Sequence, residues 1–324
     1  MDENSFSKLG VIGFKSPAVA SSRFLSDACP RYRNAESDVY SIWIVTPEAY
    51  PFSRCFEDLA FALQCGFRNL GFRVPVVIRP ELAEGTVIVL GSHLISRINQ
   101  NSLPQRMVLF NLEQVYADSP WMTPEYIQVA TTHLLWDYSR SNVLKWEEIG
   151  VQCNGVCEVG FVQELERIQS LATRDVDVTF IGSLNDRRKA VLDELNNQNI
   201  NVYWLFDVWG QQRDDVIGRS KILLNLHMYD AHVFEIVRVS YLLANACCVV
   251  SETGVDIETE ESLAPGIAFS RHDQLVSKCI ELLANDREQA RLRVDGRSLI
   301  AQRDQTQMLK RALEQCGLAV TPSQ

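Results

Sequence analysis

The chain has 324 residues and a formal net charge of -10, with 46% hydrophobic and 22% charged residues. This length exceeds what one hydrophobic core usually organises, so we expect two domains in an ordinary globular protein. The negative charge argues against nucleic acid and anionic membranes as partners. A few cations in one pocket could still bind a small anionic ligand.

The nine cysteines are odd in number and form no C-x-x-C pair. Several stand inside apolar stretches, which predicts buried thiols in a reducing compartment. Cys153 and Cys157 have no second Cys/His pair at zinc-site spacing, so we expect no metal. The amino terminus is acidic, and no stretch approaches the roughly 20 apolar residues of a membrane span. We therefore expect a cytoplasmic protein with no membrane span.

Residues 1–38 are polar and weakly patterned, and we expect a weakly ordered leader there. From residue 39 onward, short apolar runs alternate with helical patterns, which is typical of a parallel sheet buried on both faces. The predicted strands are residues 39–46, 72–78, 85–91, 106–112, 127–131 and 155–161, and the predicted helices are residues 54–70 and about 137–150. This alternation predicts an amino-terminal α/β domain over residues 39–165.

After a polar stretch the alternation restarts and predicts a second α/β domain over residues 175–285. Its predicted strands are residues 178–182, 201–206, 222–226, 247–251 and 267–269, and its predicted helices are residues 186–197, 213–219, 232–245 and 272–284. The pattern of apolar residues over residues 286–324 predicts an amphipathic helical tail. We expect the α/β class, with two Rossmann-like domains facing a cleft and a ligand near the carboxyl ends of the strands. Both halves lack G-x-G-x-x-G, which argues against a dinucleotide oxidoreductase.

The stretch "FIGSLNDRR" places cations where a predicted strand gives way to a helix. Gly182 allows a sharp turn and close approach of a ligand, to which Gly182 and Ser183 would offer backbone contacts. Arg187 and Arg188 add forked donors at the helix start, where cations oppose the helix dipole. A diphosphate would compensate that cost. The alternative is a solvated arginine pair that bridges to Asp186 or Glu194.

A second constellation follows the predicted strands at 222–226 and 247–251. Glu235 and Arg238 share one face near the start of an apolar helix, which predicts either a ligand-facing pair or an internal salt bridge. Glu252 could accept from sugar hydroxyls or cap a loop. The predicted ligand-binding positions of this constellation are His227, Tyr229, Glu235, Arg238, Ser251 and Glu252.

These two stretches resemble the nucleotide-sugar-binding domain of GT-B glycosyltransferases, in particular the spore-maturation-like and family 4-like members. "FIGSLNDRR" is similar to their strand-Gly-x-x-x-x-Arg turn, and "HVFEIVRVSYLLANACCVVSE" to their donor helix, apolar strand and acidic turn. The resemblance covers residues 176–285. It implies a nucleotide-diphosphate sugar as donor substrate, no cofactor and no metal, with cations stabilising the leaving diphosphate. The terminal helix would cross back to the amino domain or serve a homodimer.

The chain departs from the family pattern at one position. Many of these enzymes carry two glutamates eight apart on the donor helix, and the second one binds ribose. That second position falls near Tyr241 here. On the resemblance, Glu235 or Glu252 would have to make the ribose contact.

The amino half offers candidate bases for the acceptor. In inverting transfer a carboxylate or histidine takes the acceptor proton, and Asp137, Glu113 and His133 are the candidates in that order. Each could instead be a cap or a satisfied loop residue. A retaining mechanism would need no such base.

The leading hypothesis is therefore a cytoplasmic glycosyltransferase that acts on a saccharide, lipid or protein acceptor. One alternative is a sugar-nucleotide epimerase of the same architecture, which would turn over donors without an acceptor. Another is a non-catalytic nucleotide-sugar-binding or scaffold protein, which the missing glutamate favours. Glycosylation of DNA bases is disfavoured by the negative charge.

Overall fold

The computed structural model describes residues 10–11, 39–169, 171, 173–229 and 231–322. These residues form two compact units. The amino unit contains residues 39–164 and 303–322, and the carboxyl unit contains residues 10–11 and 165–302. Strand β1 (Gly10–Val11) belongs to the carboxyl unit. The rest of the expected leader lies outside the described residues.

The amino unit is built on a six-stranded parallel sheet in the order β3-β2-β4-β5-β6-β7. Its strands are β2 (Tyr40–Ile44), β3 (Val76–Val77), β4 (Thr86–Leu90), β5 (Met107–Asn111), β6 (Leu134–Asp137) and β7 (Gly155–Val156). Three strands, β2, β4 and β5, are buried along their whole length, as expected for runs of apolar residues covered on both faces. The helices are α1 (Glu57–Asn69), α2 (Pro124–Thr132) and α3 (Arg140–Glu148).

The strand predicted at residues 127–131 is wrong, because these residues belong to α2. The Thr123 hydroxyl accepts from the Tyr126 backbone N–H at 3.2 Å, and Pro124 occupies the first helical turn. Tyr126 and Ala130, four residues apart, are the buried positions of this helix, which is a helical period. The strand follows only at Leu134–Asp137.

The carboxyl unit carries a second parallel sheet in the order β1-β9-β8-β10-β11-β12. Its further strands are β8 (Val176–Ile181), β9 (Val202–Leu205), β10 (Ser220–Asn225), β11 (Val249–Glu252) and β12 (Ile267–Ser270). Its helices are α4 (Asp186–Asn197), α5 (Gly210–Arg219), α6 (Ile236–Ala244), α7 (Ile257–Leu263), α8 (Leu275–Leu283) and α9 (Asp286–Ala301). The prediction of two parallel α/β domains is therefore confirmed.

The expected tail is divided between the two units. Helix α9 belongs to the carboxyl unit, and α10 (Gln305–Gln315) belongs to the amino unit, where it packs against α1. The apolar positions Met308, Leu309, Ala312 and Leu313 of α10 are buried within the amino unit. No helix among the described residues combines the length and apolar character needed to cross a membrane.

Candidate functional site

Three neighbouring strands of the carboxyl unit bring the predicted ligand-binding residues to one edge of the sheet. Strand β10 pairs with β8 on one side and with β11 on the other, all parallel, so their carboxyl ends lie together. The residues that follow these ends are Gly182 and Ser183 after β8, His227 and Tyr229 after β10, and Ser251 and Glu252 at the end of β11. Helices α4 and α6 both begin at this edge. We call these residues, with Arg187, Arg188, Glu235 and Arg238, the carboxyl-edge cluster.

Gly182 stands where two guanidinium groups come close to the backbone. Its φ of 138° favours glycine, and a Cβ atom there would lie 3.5 Å from Arg238 Nη2 and 3.7 Å from Arg188 Nη1. The Gly182 carbonyl accepts a hydrogen bond from Trp204 Nε1 at 2.8 Å, and its N–H donates to Leu205 at 2.9 Å. Hydrogen bonds therefore fix the backbone of Gly182, and the absence of a side chain leaves space beside the guanidinium groups of Arg188 and Arg238.

Arg188 is buried and binds the protein itself. Its guanidinium donates to the carbonyls of Ser183 at 2.8 Å, Leu226 at 2.6 Å and His227 at 3.3 Å. Burial and, to a smaller extent, the charge of Arg238 together lower the pKa of Arg188 to about 9, although Glu235 opposes both effects. Arg188 thus ties the loop after β8 to the loop after β10, and the alternative of a solvated arginine pair does not hold.

Arg187 forms a two-bonded ion pair with Glu252. Arg187 Nη1 donates to Glu252 Oε2 at 2.8 Å, and Nη2 contacts Oε1. The same carboxylate accepts the His227 backbone N–H at 3.2 Å. The side chain of Glu252 is 3% exposed whereas that of Arg187 is 25% exposed, so only the cation reaches the surface. This forked geometry also suits a phosphate.

Glu235 and His227 form the centre of the cluster. Glu235 accepts from Asn225 Nδ2 at 3.0 Å and lies 3.1 Å from His227 Nδ1, while Arg238 Nη1 donates to Asn225 Oδ1 at 3.0 Å. Burial raises the pKa of Glu235, but the hydrogen bond with His227 and the charges of His227, Arg238 and Arg188 outweigh it and lower the pKa. Burial lowers the pKa of Arg238. His227 Nε2 is buried without a hydrogen-bond partner among the described residues.

The remaining predicted positions, Ser251, Ser183 and Tyr229, differ in burial and in their contacts with the protein. Ser251 is buried and its hydroxyl is used by the protein, accepting from Asn225 Nδ2 at 3.0 Å and donating to the Glu252 carbonyl at 3.0 Å. Ser183 is exposed, and Tyr229 is half-buried near Arg188. Three arginines face two carboxylates in the cluster, and a third carboxylate, that of Glu260, interacts electrostatically with His227 and Glu235.

Tyr241, at the position where the family pattern places a glutamate, is buried beneath two guanidinium groups. Arg213 lies 4.3 Å and Arg167 5.0 Å from the centre of its ring. Its hydroxyl accepts from Arg167 Nε at 3.0 Å. Asp214 in turn binds Arg213 at 2.8 Å, so the cations around the tyrosine are partly neutralised by the protein.

In the amino unit, Asp137 is fully buried and accepts four hydrogen bonds. Asn111 Nδ2 and Trp146 Nε1 bind one oxygen at 2.7 and 2.9 Å, and the Ser139 N–H and Asn142 Nδ2 bind the other at 2.9 and 3.0 Å. Burial raises the pKa of Asp137 to about 7, although these hydrogen bonds oppose the rise. With no exposure and four donors, this first candidate base fits a structural role.

The carboxyl group of Glu113, the second candidate, is partly exposed, unlike that of Asp137. Its side chain is 20% exposed, and burial raises its pKa to about 8. The backbone around it is fixed, because its carbonyl accepts from Asn111 Nδ2 at 2.8 Å and from Asn142 Nδ2 at 2.9 Å. Of the three candidates, Glu113 alone combines a partly exposed carboxyl group with a pKa near neutrality.

The third candidate, His133, lies elsewhere. It directly precedes β6, whereas Asp137 ends that strand, so the two stand at opposite ends of β6. Its Nδ1 contacts Thr132 Oγ1 at 2.9 Å and the Val129 carbonyl at 3.1 Å. The misplaced strand at residues 127–131 caused this error.

His93 was missed from the sequence. It follows β4 after Gly91 and Ser92, and its Nε2 lies 3.5 Å from Glu113 Oε1. Burial and, to a smaller extent, the charge of Arg97 together lower the pKa of His93 to about 3. The available signal was positional, since "GSH" directly follows an apolar run and therefore stands at the carboxyl end of a strand.

Comparison of the whole chain with solved structures gives the class of fold. AviGT4, a glycosyltransferase involved in avilamycin A biosynthesis, superposes with a TM-score of 0.54 at 14% identity, covering 86% of this chain and 97% of that one. HepE of Anabaena, solved in complex with UDP and glucose, has a TM-score of 0.59 at 10% identity, covering 86% and 99%. TarM has a TM-score of 0.51 at 12% identity, covering 72% and 54%. The chain has the GT-B glycosyltransferase fold.

Sequence relatives are less informative. Uncharacterized protein L137 of Acanthamoeba polyphaga mimivirus is 29% identical over 127 residues, which are 38% of this chain and 17% of that protein. Uncharacterized protein R358 of the same virus is 32% identical over 117 residues, 34% of this chain and 40% of that protein. The match thus spans less than half of either relative. No family model matches the chain.

Proposed function

We propose that the chain is a glycosyltransferase whose donor is a nucleotide-diphosphate sugar, and that the carboxyl-edge cluster binds the diphosphate. The observation that carries this proposal is the convergence of Arg188 and Arg238 on Gly182, each within 4 Å of the space that a side chain would fill. Two guanidinium groups beside a residue without a side chain favour an anion, and the GT-B fold supports a nucleotide sugar as the anionic ligand.

In this proposal the arginines have separate roles. Arg187 and Arg238 bind diphosphate oxygens, while Arg188 positions the loop because its donors already serve three carbonyls. The Ser183 N–H contacts the phosphates, whereas the Gly182 N–H already donates to the Leu205 carbonyl. Cations fixed at the leaving diphosphate would stabilise the charge that develops there as the glycosidic bond to the donor breaks.

The carboxylates of the cluster are proposed to accept hydrogen bonds from hydroxyl groups of the donor. Glu252 carries this role for ribose or sugar once Arg187 turns to the diphosphate, and Glu235 supports it beside His227. The acceptor is proposed to bind the amino unit, where Glu113 is the candidate base because Asp137 is saturated with donors.

Calorimetric titration of the full chain with UDP, GDP, ADP and dTDP tests the donor site, with and without Mg²⁺. We expect one of the four to bind, and Arg238→Ala to weaken it at least about tenfold, as for the loss of a charge-assisted hydrogen bond. Arg219→Ala is the matched control, because Arg219 forms a surface pair with Asp175 before β8. Equal weakening in both variants, or no binding by any nucleotide, would overturn the proposal.

An assay of donor turnover then distinguishes a transferase from an epimerase and from a non-catalytic scaffold protein. The matching sugar donor is incubated with the protein, and released nucleotide and altered sugar are measured. Slow hydrolysis of the donor supports a transferase, because water replaces a missing acceptor. Conversion of the sugar without nucleotide release would indicate the epimerase, and binding without either reaction the scaffold protein.

A further inference from the structure

A cavity opens at the edge of the carboxyl unit's sheet that lies opposite the carboxyl-edge cluster. Parallel strands all begin at one edge of a sheet, and this cavity lies where β10 and β11 begin. Strand β10 has six residues, so about 20 Å separate the two edges. The cavity measures about 240 Å³, including its open mouth. Its polar lining includes Gln169, Arg174, Ser220, Asn245, Cys247 and Arg293.

The charge of this cavity is positive. Arg293 reaches it from α9, and Arg174 reaches it from the segment just before β8. No carboxylate lies among the described residues of its wall. Burial lowers the pKa of Arg293, and the charge of Arg174 lowers it to a smaller extent, so the two guanidinium groups repel each other. The Asp286 carboxylate opposes this with the smallest effect of the groups around Arg293.

Arg293 is held in place by only one of its three nitrogens. Its Nη2 donates to the Lys221 carbonyl at 2.8 Å and to Gln289 Oε1 at 3.0 Å, which fixes the half-buried side chain on the cavity wall. Within the part of the chain that the structure describes, its Nε and Nη1 make no hydrogen bond and it forms no ion pair. A guanidinium group fixed in this way offers its other N–H groups to a ligand as a planar fork.

The protein supplies no full counter-charge to Arg293 from this edge. The carboxylates nearby pair with other cations: Asp175 with Arg219, Asp177 with Lys221, Asp214 with Arg213 and Glu288 with Arg291. Helices α5 and α6 end at this edge, and their carbonyl ends favour a cation there. Each end carries only about half a negative charge, and its effect falls off within one turn, so it does not replace a counter-ion.

We propose that Arg293 and Arg174 bind a phosphate group in this cavity, carried by inorganic phosphate or by a small phosphomonoester. Two guanidinium groups and the exposed Gln169 amide offer several N–H donors, which suit a tetrahedral dianion better than a singly charged carboxylate. This site is separate from the proposed donor site and does not depend on it. Helix α6 nevertheless contacts both, because it begins after Glu235 and ends at Asn245.

The ¹⁵Nε resonance of Arg293 in the full chain reports on this cavity directly, and Arg293→Gln assigns it. The probes are inorganic phosphate and glucose 6-phosphate, with acetate as the singly charged comparison. We expect at least one phosphate probe to shift the resonance and to bind at least about fivefold more tightly than acetate. The tighter phosphate probe identifies the source of the phosphate group. If neither phosphate probe shifts the resonance, the site does not exist.

Arg238→Ala distinguishes this site from the carboxyl-edge cluster. We expect phosphate to shift the Arg293 resonance as strongly in this variant as in the unchanged protein, because Arg238 lies at the other edge of the sheet. Failure of nucleotides to bind would refute the donor site alone and leave this result interpretable. Loss of the Arg293 shift in Arg238→Ala would mean that phosphate binds only at the carboxyl-edge cluster, and the inference would then be wrong.

Calorimetry in the Arg238→Ala background separates a binding role of Arg293 from a structural one. Arg293→Gln should weaken phosphate about tenfold or more, as for the loss of a charge-assisted hydrogen bond. Arg293→Lys, which keeps the charge without the fork, should lose less. Arg287→Gln, at an exposed position of the same helix, is the matched control and should bind normally. Thermal unfolding checks that each variant folds, and equal affinity of Arg293→Gln and the control would exclude Arg293 from phosphate binding.

Discussion

Asp137 holds the backbone of Glu113 in place through two side-chain amides. Asn142 Nδ2 binds Asp137 at 3.0 Å and the Glu113 carbonyl at 2.9 Å, and Asn111 Nδ2 binds them at 2.7 and 2.8 Å. Asp137, which is fully buried, therefore positions Glu113, which is partly exposed. Two of the candidate bases belong to one network, in which only Glu113 has a carboxyl group open to a ligand.

Asp137→Asn should destabilise the protein although the two side chains have nearly the same shape. The new NH₂ group would face two donors on whichever side it points, so both lose their acceptor. We expect the free energy of unfolding to fall by about 3 kcal/mol, the usual cost of unpaired buried polar groups. Urea unfolding measures this, with the exposed Asp118→Asn as the matched control. Equal stability of the two variants would contradict the role of Asp137.

The Glu113 carboxyl should make stability depend on pH in a defined direction. Burial raises its pKa from 4.5 to about 8, so the folded chain binds this proton more tightly than the unfolded chain does. The contribution of this group to stability is therefore fully present below pH 4.5 and is lost as the pH rises to about 8. Glu113→Gln should remove at least about 1 kcal/mol of that decline. Urea unfolding at a series of pH values measures it, and identical slopes for variant and unchanged protein would refute the assignment.

The sequence predicted those parts of the fold that depend on local signals. Helix α4 has the predicted bounds, because Asn185 caps it and the apolar positions that follow have a helical spacing. The edge where the carboxyl-edge cluster forms was predictable from parallel strands alone. Helix α2 was missed, because its β-branched residues Ile127 and Val129 outweighed the start signal at Thr123 and Pro124.

Pairings between distant residues could not be predicted. Arg187 and Glu252 are 65 residues apart, and each alone suited a ligand, so nothing local indicated that they bind each other. His93 and Glu113 come together only because β4 and β5 are neighbours in register. Arg188 looked equivalent to Arg187, yet its position on α4 directs it into the protein, where carbonyls take its donors. Tertiary packing decides such roles.

Arg187→Ala should weaken binding of a nucleoside diphosphate by about tenfold or more, because a charge-assisted hydrogen bond contributes about 1.5–3 kcal/mol. The Glu252 carboxylate, left buried without its cation, would add repulsion toward the phosphates. Calorimetry with the nucleotide that binds the unchanged protein measures the loss. Arg219→Ala again serves as control, and an affinity equal to that control would remove Arg187 from the site.

Glu252→Gln should separate the phosphate contact from the hydroxyl contact. Without the carboxylate, Arg187 is released and repulsion of the ligand falls, so inorganic pyrophosphate should bind about threefold more tightly or better. A nucleoside diphosphate should gain less, because the variant also loses the proposed acceptor for a ribose hydroxyl. Parallel titrations with pyrophosphate and the nucleotide measure the two changes. Equal gains would argue against a hydroxyl contact at Glu252.

Gly91→Ala should disturb His93 through the turn that carries it. Gly91 has a φ of 75°, and a Cβ atom there would lie 2.9 Å from Phe56 Cε2, so alanine meets both backbone strain and a clash. Gly150→Ala is the matched control, since Gly150 has a φ of 78° and nothing within 4 Å of the added atom. The control should lose about 1 kcal/mol of unfolding free energy from strain alone, and Gly91→Ala about 1–3 kcal/mol more from overpacking. Urea unfolding compares the two, and the His93 ¹⁵N resonances should shift only in Gly91→Ala. If the variants lose equal stability, the contact with Phe56 does not constrain this turn.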